Sequence, residues 1–421
     1  MQLPLILFRR FRSSFLLLGL VAAALMRADA YPEISPEARA LHETFVTLDT
    51  HFDTAANLRR PGWSIMDAHT WEDDFSQVDY PRLVEGGIDG GFWTIYTSQG
   101  PRTPEGHAEA RDTALQIAVR LHTMVARNEE HFEIALTADD AERIRQSGKR
   151  IVYLSMENSY PLGKDLTLVK TFYDLGVRML GPVHFANNEL ADSATDPKGP
   201  EWGGLSPLGK ELVKECNRLG IVLDASHAHD TVLDQMLELS ATPIVLSHSG
   251  AKAVYGHPRN VPDELLRKLA AKGGVIQMNI FSNYVAELPQ APERAAAMRD
   301  LFVKLGGRGA VNTPEGFATF VEERRKIEAQ YPMPLATFDQ FMAHVFHALE
   351  VVGADHIGIS GDFDGGGGVE GLMSVADMPR ISTALLAAGY TAEDLKKIWG
   401  GNTLRALRAA EDYAKSAAPK A

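Results

Sequence analysis

Short apolar runs that end in a polar side chain recur along the chain. Eight runs are predicted to be β-strands, and they span Phe45–Asp53, Ile88–Tyr96, Arg150–Glu157, Val177–His184, Gly220–His227, Pro243–His248, Gly274–Ile280 and His356–Asp362. Continuous apolar runs of this length are typical of parallel strands that are buried on both faces. Helix-period stretches separate most of them, so the pattern predicts an α/β protein whose eight strands close into a TIM-like (β/α)8 barrel.

The helical stretches carry start signals. Ser206 followed by Pro207 is a good N-cap with proline at the first helical position. Thr391 and Asp394 come close to a capping box, with Asp in the place of Glu. In a barrel of this kind the carboxyl ends of the strands form the active-site face, so the residues that end the strands are the first candidates for chemistry.

One connection is too long for a simple crossover. Residues 291–352 contain two or three amphipathic helices between the seventh and eighth predicted strands. We interpret them as a helical insertion within a single barrel domain that spans residues 31–421. The irregular segment Leu58–Asp79 follows the first strand and is expected to lie at the rim of the active site.

Length and charge narrow the class of protein. The 421 residues are 45% hydrophobic and 23% charged, an ordinary globular composition with ample length for a large core. The formal net charge is −13. This acidic excess argues against a nucleic-acid partner and against binding to an anionic membrane surface.

The N-terminus has the pattern of a signal peptide. Residues 1–30 hold a basic region around Arg9, a short apolar region at 15–26 and an A-x-A cleavage motif that ends at Ala30. The alternative is an uncleaved anchor. The tail is polar and carries no lipid-anchor signal, and the single cysteine, Cys216, excludes an intrachain disulfide. We therefore expect a bacterial periplasmic or secreted protein with no stable membrane anchor.

Metal-type side chains end several predicted strands. His51 and Asp53 lie two residues apart, so both point to the same side of an extended strand. A carboxylate such as Glu157 can bridge two ions, and His227 and His248 end consecutive strands from which both reach one cation. The plainer interpretations are a capped strand end, a buried ion pair and structural histidines. Together the set predicts a site for two divalent cations and metal-assisted hydrolysis.

Three further residues are candidates for catalysis or substrate binding. Asp362 lies in a glycine-rich turn, where it can accept a proton from water and return it to a leaving amine. His184 can donate to a developing oxyanion, and Arg259 can clamp a substrate carboxylate. The alternatives are a turn without chemistry, a structural rim histidine and a solvated loop arginine. We place His229 on a loop and assign Asp364 mainly to the turn.

These residues, taken in order, resemble the membrane (renal) dipeptidase family of zinc peptidases, bacterial subgroup, over nearly the whole mature chain. The motifs that carry the resemblance are Asp49-Thr50-His51-Phe52-Asp53, Glu157, Gly181-Pro182-Val183-His184 with Asn187-Asn188, Gly204-Leu205-Ser206-Pro207-Leu208-Gly209-Lys210, Asp224-Ala225-Ser226-His227, Ser247-His248-Ser249, Pro258-Arg259-Asn260, Gly361-Asp362-Phe363-Asp364-Gly365 and Gly400-Gly401-Asn402.

The resemblance implies a TIM-like barrel with two Zn²⁺ per chain that hydrolyses free dipeptides, including those with a C-terminal D-residue. By the family pattern His51, Asp53 and Glu157 hold one zinc, and Glu157, His227 and His248 hold the other. A metal-bridged hydroxide attacks the peptide carbonyl. The family pattern makes Asp362 the proton shuttle and a contact of the substrate amine, His184 the stabiliser of the tetrahedral intermediate, and Arg259 the contact of the C-terminal carboxylate.

Two departures and several alternatives stay open on the sequence. Asn158 follows Glu157 where many relatives have Gly, and the 291–352 insertion looks longer than in the animal enzymes. The insertion is expected either to cover the pocket or to form a homodimer contact. The alternative functions are a related barrel amidohydrolase that acts on N-acyl amino acids or lactams, and a catalytically inactive binding protein. Manganese or cobalt can substitute for zinc in such a site.

Overall fold

Eight parallel strands surround a common axis in the order in which they occur along the chain. This computed structural model describes residues 31–418. Its strands are β1 Leu48–Phe52, β2 Gly90–Tyr96, β3 Phe132–Ile134, β4 Arg150–Glu157, β5 Val177–Leu180, β6 Val222–Asp224, β7 Ile244–Ala251, β8 Asn260–Val261, β9 Val275–Asn279 and β10 Ile357–Ser360. The barrel path is β1-β2-β4-β5-β6-β7-β9-β10, with β3 paired to β4 and β8 paired to β7.

The last strand meets the first through hydrogen bonds at their carboxyl ends. The backbone N–H of Asp53 donates to the carbonyl oxygen of Phe363 at 3.0 Å. The backbone N–H of Gly361 donates to Oδ2 of Asp49 at 2.8 Å. The sheet is therefore a nearly closed parallel barrel. The predicted TIM-like fold is confirmed, with its helical insertion between the seventh and eighth barrel strands, β9 and β10.

Helices cover the outside of the barrel and fill its connections. They span Pro36–His42, Trp71–Asp74, Tyr80–Glu85, Pro104–Arg127, Asp140–Gln146, Thr167–Asp174, Pro207–Leu219, Asp230–Leu239, Asp263–Ala271, Ser282–Val285, Pro292–Lys304, Pro314–Gln330, Phe338–Val352, Pro379–Ala387, Ala392–Lys396 and Asn402–Ala417. The start signals in the sequence act as expected. The Ser206 hydroxyl accepts from the N–H of Gly209 at 3.0 Å, and Thr391 with Asp394 forms a capping box.

The barrel interior changes from apolar to polar towards the carboxyl ends of the strands. Alternate residues of β4 share a face, and the face that carries Ile151, Tyr153, Ser155 and Glu157 points inward. Ile151 and Tyr153 belong to the apolar cluster at the amino end of the barrel, while the Ser155 hydroxyl lies 3.3 Å from that of Thr94 on β2. This gradient leaves hydrogen-bonding and metal-ligating side chains at one end only.

The insertion is held by its own small core. Leu301 and Phe320 pack against Phe75, which lies on the irregular segment after β1. The guanidinium of Arg324 lies 3.9 Å from the centre of the Phe75 ring, and Arg325 donates to the carbonyl oxygen of Glu72 at 2.6 Å. The insertion therefore docks onto the rim segment beside the carboxyl ends of the strands.

Several strand ends differ from prediction, and at two of them the difference moves a predicted histidine off its strand. β5 ends at Leu180, since Pro182 has no N–H to continue the ladder, and β6 ends at Asp224. His184 and His227 therefore lie on loops, and His227 has a left-handed backbone with φ of 65°. The short strands β3 and β8 were not predicted because two or three residues carry too little periodicity. The predicted signal peptide at 1–30 lies outside the described residues, and none of the helices in 31–418 is long and apolar enough to cross a membrane.

Candidate active site and metal centre

The carboxylate of Glu157 lies among four imidazoles at the carboxyl end of the barrel. Its Oε1 is 3.0 Å from Nε2 of His227 and 3.3 Å from Nε2 of His248. Nε2 of His184 is 3.8 Å from the same oxygen. Nε2 of His51 is 3.6 Å from the other oxygen, Oε2. The chain thus places one buried carboxylate in reach of side chains from four different segments.

Two further carboxylates extend the group beyond Glu157. Oδ2 of Asp53 lies 3.4 Å from Nε2 of His51. Three overlapping sets have all their ligand atoms within 4.8 Å of one another: His51, Glu157 and His248; Glu157, His184 and His227; and His51, Asp53 and Asp362. The structure therefore brings together the five predicted metal ligands, which we call the metal-ligand group: His51, Asp53, Glu157, His227 and His248.

Burial and neighbouring charges set the protonation of these groups. Burial lowers the pKa of His227 well below its usual range, and the charge of Arg259 acts in the same direction. Burial likewise lowers the pKa of His248, assisted by His51. Burial alone would raise the pKa of Glu157, but the surrounding imidazoles outweigh it and hold that pKa well below its usual range. The result is two neutral imidazoles beside an ionised carboxylate.

The tautomer of His248 follows from the hydrogen bonds behind it. The Ser247 hydroxyl donates to Oδ2 of Asp224 at 2.5 Å, and the same hydroxyl oxygen lies 2.8 Å from Nδ1 of His248. Since the only hydroxyl hydrogen goes to the carboxylate, Nδ1 of His248 carries the proton and donates to Ser247. Its Nε2 therefore presents a lone pair to the site, as a metal ligand must.

The donor set fits divalent cations. Burial alone would lower the pKa of His51, but the carboxylates of Glu157 and Asp53 outweigh it and raise that pKa well above its usual range. The carboxylates around His51 thus favour a positive charge beside them, and a metal cation held by the same side chains would supply it. Neutral imidazole nitrogens with carboxylate oxygens are ligands that Zn²⁺ prefers. These residues therefore match the implied two-metal site.

Asp362 lies at the edge of the group on a strained turn. Its backbone has φ of 50°, an unfavourable value for a residue with a side chain. Its Oδ2 accepts from Nδ2 of Asn279 at 3.1 Å. Burial raises the pKa of Asp362 to about 6, with His51 opposing and Asp53 adding to the rise. A carboxyl group with this pKa can both accept and return a proton near neutral pH.

Arg259 lies beyond β7 and is buried beside the metal-ligand group. Its Nη2 donates to the carbonyl oxygen of His248 at 2.8 Å, and its guanidinium lies 5.2 Å from the centre of the Tyr284 ring. Its Nε is buried and has no hydrogen-bond partner among residues 31–418. Burial raises the pKa of Tyr284 to about 12, so its hydroxyl stays neutral. Arg259 therefore has donor capacity left for an anionic group in the site.

A cavity of about 510 Å³, a size typical of small-molecule sites, is lined by Glu157, His227 and His248. Phe185 is 50% exposed there, and its ring centre lies 3.8 Å from that of His184. Gly309 and Asn312 of the insertion also line the cavity. The insertion therefore covers part of the pocket, which is one of the two roles that we expected for it.

Two residues have the supporting positions that we expected. His229 lies outside the metal-ligand group and caps the helix Asp230–Leu239, where its Nδ1 accepts from the N–H of Thr231 at 3.2 Å. Asp364 holds the turn, because its Oδ1 accepts from the N–H of Gln77 at 2.8 Å. Next to it, a Cβ on Gly365 would overlap Oδ2 of Asp53, so only glycine allows the turn to approach that carboxylate.

Tyr284, Phe185, Asn279 and Ser247 were not among the residues that we singled out for chemistry. Ser247 and Asp224 had a signal in the sequence. Ser247 precedes His248 by one residue, and Asp224 precedes His227 by three. Tyr284 and Phe185 had none, because an aromatic residue after a strand is far more often part of a core.

Comparison with known proteins agrees with this site. The profile of the membrane dipeptidase family (Peptidase family M19) matches residues 35–420. Dipeptidase tcpJ of Claviceps purpurea (strain 20.1) is 32% identical over 349 residues, which cover 80% of this chain and 70% of the relative. The crystal structure of the probable dipeptidase PvdM from Pseudomonas aeruginosa has a TM-score of 0.76 at 29% identity, covering 90% of this chain and 98% of that one.

A second solved structure, that of the metallopeptidase called dipeptidase AC, has a TM-score of 0.69 at 26% identity and covers 87% of this chain and 99% of that chain. The family profile spans nearly all of the described residues and includes every residue of the metal-ligand group. The chain belongs to the membrane dipeptidase family, peptidase family M19, and is a metallo-dipeptidase.

Proposed function

We propose that the chain hydrolyses free dipeptides, including those with a C-terminal D-residue, with two Zn²⁺ at the site. His51, Asp53 and Glu157 would hold one ion, and Glu157, His227 and His248 the other. The observation that carries the proposal is the position of Glu157. Its Oε1 lies 3.0 Å from Nε2 of His227 and 3.3 Å from Nε2 of His248, and its Oε2 lies 3.6 Å from Nε2 of His51. When bound, zinc supplies Lewis acidity, which lowers the pKa of water and polarises the peptide carbonyl.

Arg259 binds the C-terminal carboxylate in this proposal. Its guanidinium lies beside the backbone of His248, at the end of the site formed by the second ligand set. A planar guanidinium matches a carboxylate with two parallel hydrogen bonds. The neutral Tyr284 hydroxyl adjoins it as a further donor. This contact orients the dipeptide so that its carbonyl lies over Glu157.

Asp362 moves the proton in this proposal. It takes a proton from the attacking water and later gives it to the nitrogen of the leaving amine. It lies beside His51 and Asp53, and in this proposal the free substrate amine binds there as well. His184, kept neutral because burial lowers its pKa, donates its N–H to the developing oxyanion.

The test uses substrates that lack one anchor at a time. The purified chain is assayed with L-Ala-L-Ala, L-Ala-D-Ala and N-acetyl-L-Ala-L-Ala, first with zinc and then with a chelator. Zinc-dependent cleavage of the two free dipeptides alone is expected. Cleavage of the acetylated substrate at a similar rate identifies the broader amidohydrolase instead. Zinc binding without cleavage of any of the three contradicts the proposed function.

We also propose that the protein acts in the periplasm or outside the cell, on the signal-peptide pattern of residues 1–30. Fractionation of the producing bacterium followed by N-terminal sequencing tests this. The expected result is a mature chain that begins at Tyr31 in the periplasmic or secreted fraction. A cytoplasmic chain that retains residues 1–30 contradicts it.

A further inference from the structure

A second cavity adjoins the metal-site cavity and shares one wall with it. This second cavity, which we call the annex, has a volume of about 350 Å³ and lies between the loop after β2 and the helix Pro104–Arg127. The side chains that line both cavities are those of Asp53, Ala56, Arg59, Tyr96 and Ser98. The annex is therefore reached from the part of the site that holds Asp53.

Arg59 is the cation in that shared wall. It is the last residue of the turn Thr54–Arg59 that follows β1, and its side chain is exposed. Its one hydrogen bond runs from Nε to the carbonyl oxygen of Ala56, at the long distance of 3.5 Å. Across residues 31–418 no carboxylate forms an ion pair with Arg59. Most of its donor groups thus have no protein partner.

The charge that acts most directly on Arg59 is that of another arginine, Arg120. Partial burial and the charge of Arg120 both lower the pKa of Arg59, and the charge of Arg59 in turn adds to the lowering of the pKa of Arg60. Asp53 and Glu109 line the annex as well, but neither is within ion-pair distance of Arg59. A guanidinium that faces a cavity and has no carboxylate within ion-pair distance among the described residues is a ready contact for an anion.

The substrate orientation proposed above identifies that anion. With the C-terminal carboxylate at Arg259 and the carbonyl over Glu157, the N-terminal residue lies towards Asp53. Its side chain then points to the wall that contains Arg59. We propose that Arg59 is a specificity-determining residue that favours dipeptides with an acidic N-terminal side chain, such as glutamate. This inference rests on the proposed dipeptidase reaction.

The test compares Glu-Ala with the isosteric, neutral Gln-Ala and with Lys-Ala. In the wild type, kcat/KM for Glu-Ala is expected to exceed that for Gln-Ala by about tenfold, the effect of one charge-assisted contact at an exposed site. Arg59→Gln should bring the ratio to about one, and Arg59→Glu should favour Lys-Ala. Because Arg59 forms one long hydrogen bond in the protein, neither variant is expected to impair folding.

Arg120→Gln is the matched control, since Arg120 lies near Arg59 but does not line either cavity. Its Glu-Ala to Gln-Ala ratio should equal the wild-type ratio. Equal loss of preference in both variants would show a general field effect and overturn the assignment. So would a wild-type ratio of one, a preference for Lys-Ala, or an unchanged ratio in Arg59→Gln.

The inference and the proposed function fail separately. Hydrolysis of L-Ala-L-Ala by the zinc-loaded wild type tests the function and involves no side chain that could reach Arg59. If that hydrolysis is absent, calorimetric binding of Glu-Ala and Gln-Ala to wild type and Arg59→Gln still tests the contact. Tighter binding of Glu-Ala by the wild type alone supports it, and equal binding overturns it.

Discussion

Nε2 of His248 lies 2.8 Å from Nε2 of His227, and both nitrogens face the same oxygen of Glu157. The proton of His248 is on its other nitrogen, because Nδ1 donates to Ser247. The Nε2 lone pair of His248 therefore faces His227 and Glu157, where a metal ion held by the same residues would use it. This arrangement leads to tests of the residues that hold His248 in place.

Ser247→Ala is expected to weaken metal binding about 10–100-fold, the usual effect of removing the partner of a ligating histidine. The change removes the hydroxyl that fixes the Nδ1–H tautomer of His248 and connects it to Asp224. Competition with a chromogenic chelator measures the affinity.

Ser249→Ala is the control on the same strand. Its hydroxyl lies 3.4 Å from Nη1 of Arg259 and contacts no imidazole of the metal-ligand group. Metal affinity should therefore match the wild type. Equal affinity in Ser247→Ala and the wild type would contradict the assigned tautomer.

Asp362→Asn is expected to reduce kcat by about 10²–10⁴-fold while the metal content is retained. The amide keeps the shape of the side chain and can still contact Asn279, but it cannot take up a proton. Metal analysis of the same sample separates loss of proton transfer from loss of metal. Full turnover by the metal-loaded variant would show that Asp362 is not the proton shuttle.

Arg259→Lys is expected to raise KM for free dipeptides by about tenfold or more, with a smaller change in kcat. An ammonium cannot keep the hydrogen bond to the carbonyl oxygen of His248 and also bind both carboxylate oxygens. A dipeptide amide, which lacks the carboxylate, serves as the control substrate. The variant and wild type should handle the amide alike, and an unchanged KM for the free dipeptide removes the proposed contact.

His42 makes stability depend on pH. Burial lowers its pKa from 6.5 to about 4, and its Nε2 lies 2.7 Å from the Ser382 hydroxyl. That hydroxyl also accepts from Nε1 of Trp399 at 2.7 Å, and its own hydrogen is free to be donated to a neutral His42. As the pH falls, His42 of the unfolded chain takes up a proton near pH 6.5, whereas His42 of the folded chain does so only near pH 4. The free energy of unfolding therefore falls as the pH drops through this window.

Protonation of His42 lowers the free energy of unfolding by about 3 kcal/mol across this window, from the size of its pKa shift. His42→Gln removes this effect, so the difference in unfolding free energy between wild type and variant should change between pH 6.5 and pH 4. Urea unfolding of both metal-free proteins at several pH values measures this difference. A difference independent of pH would contradict the buried, neutral histidine. Other groups titrate alike in both proteins and cancel.

The sequence predicted the barrel because its strands are long apolar runs, which periodicity detects. It predicted that the five candidate metal ligands lie close together, because each follows such a run. It placed His184 and His227 on strands, however, since the alternation pattern does not register that Pro182 lacks an N–H or that a backbone is left-handed at His227. Those features shorten strands without changing which face of the barrel the side chains reach.

Contacts between segments that are distant in the sequence could not be predicted from it. The docking of Phe320 against Phe75 brings the insertion over the cavity, and neither residue has a local signal for it. The same holds for Arg59, which appears in the sequence as an ordinary loop arginine. Its role becomes arguable only when the structure shows a cavity on one side and no carboxylate partner among the described residues.

Titration of the metal-free chain with Zn²⁺, followed by the initial rate of L-Ala-L-Ala hydrolysis, tests the central claim most directly. The account predicts no turnover without metal and a rise that levels off at two zinc ions per chain, since the proposed reaction uses one ion at each of two ligand sets that share Glu157. Full turnover in the rigorously metal-free chain, or a plateau at one ion, would contradict a reaction that depends on both ions.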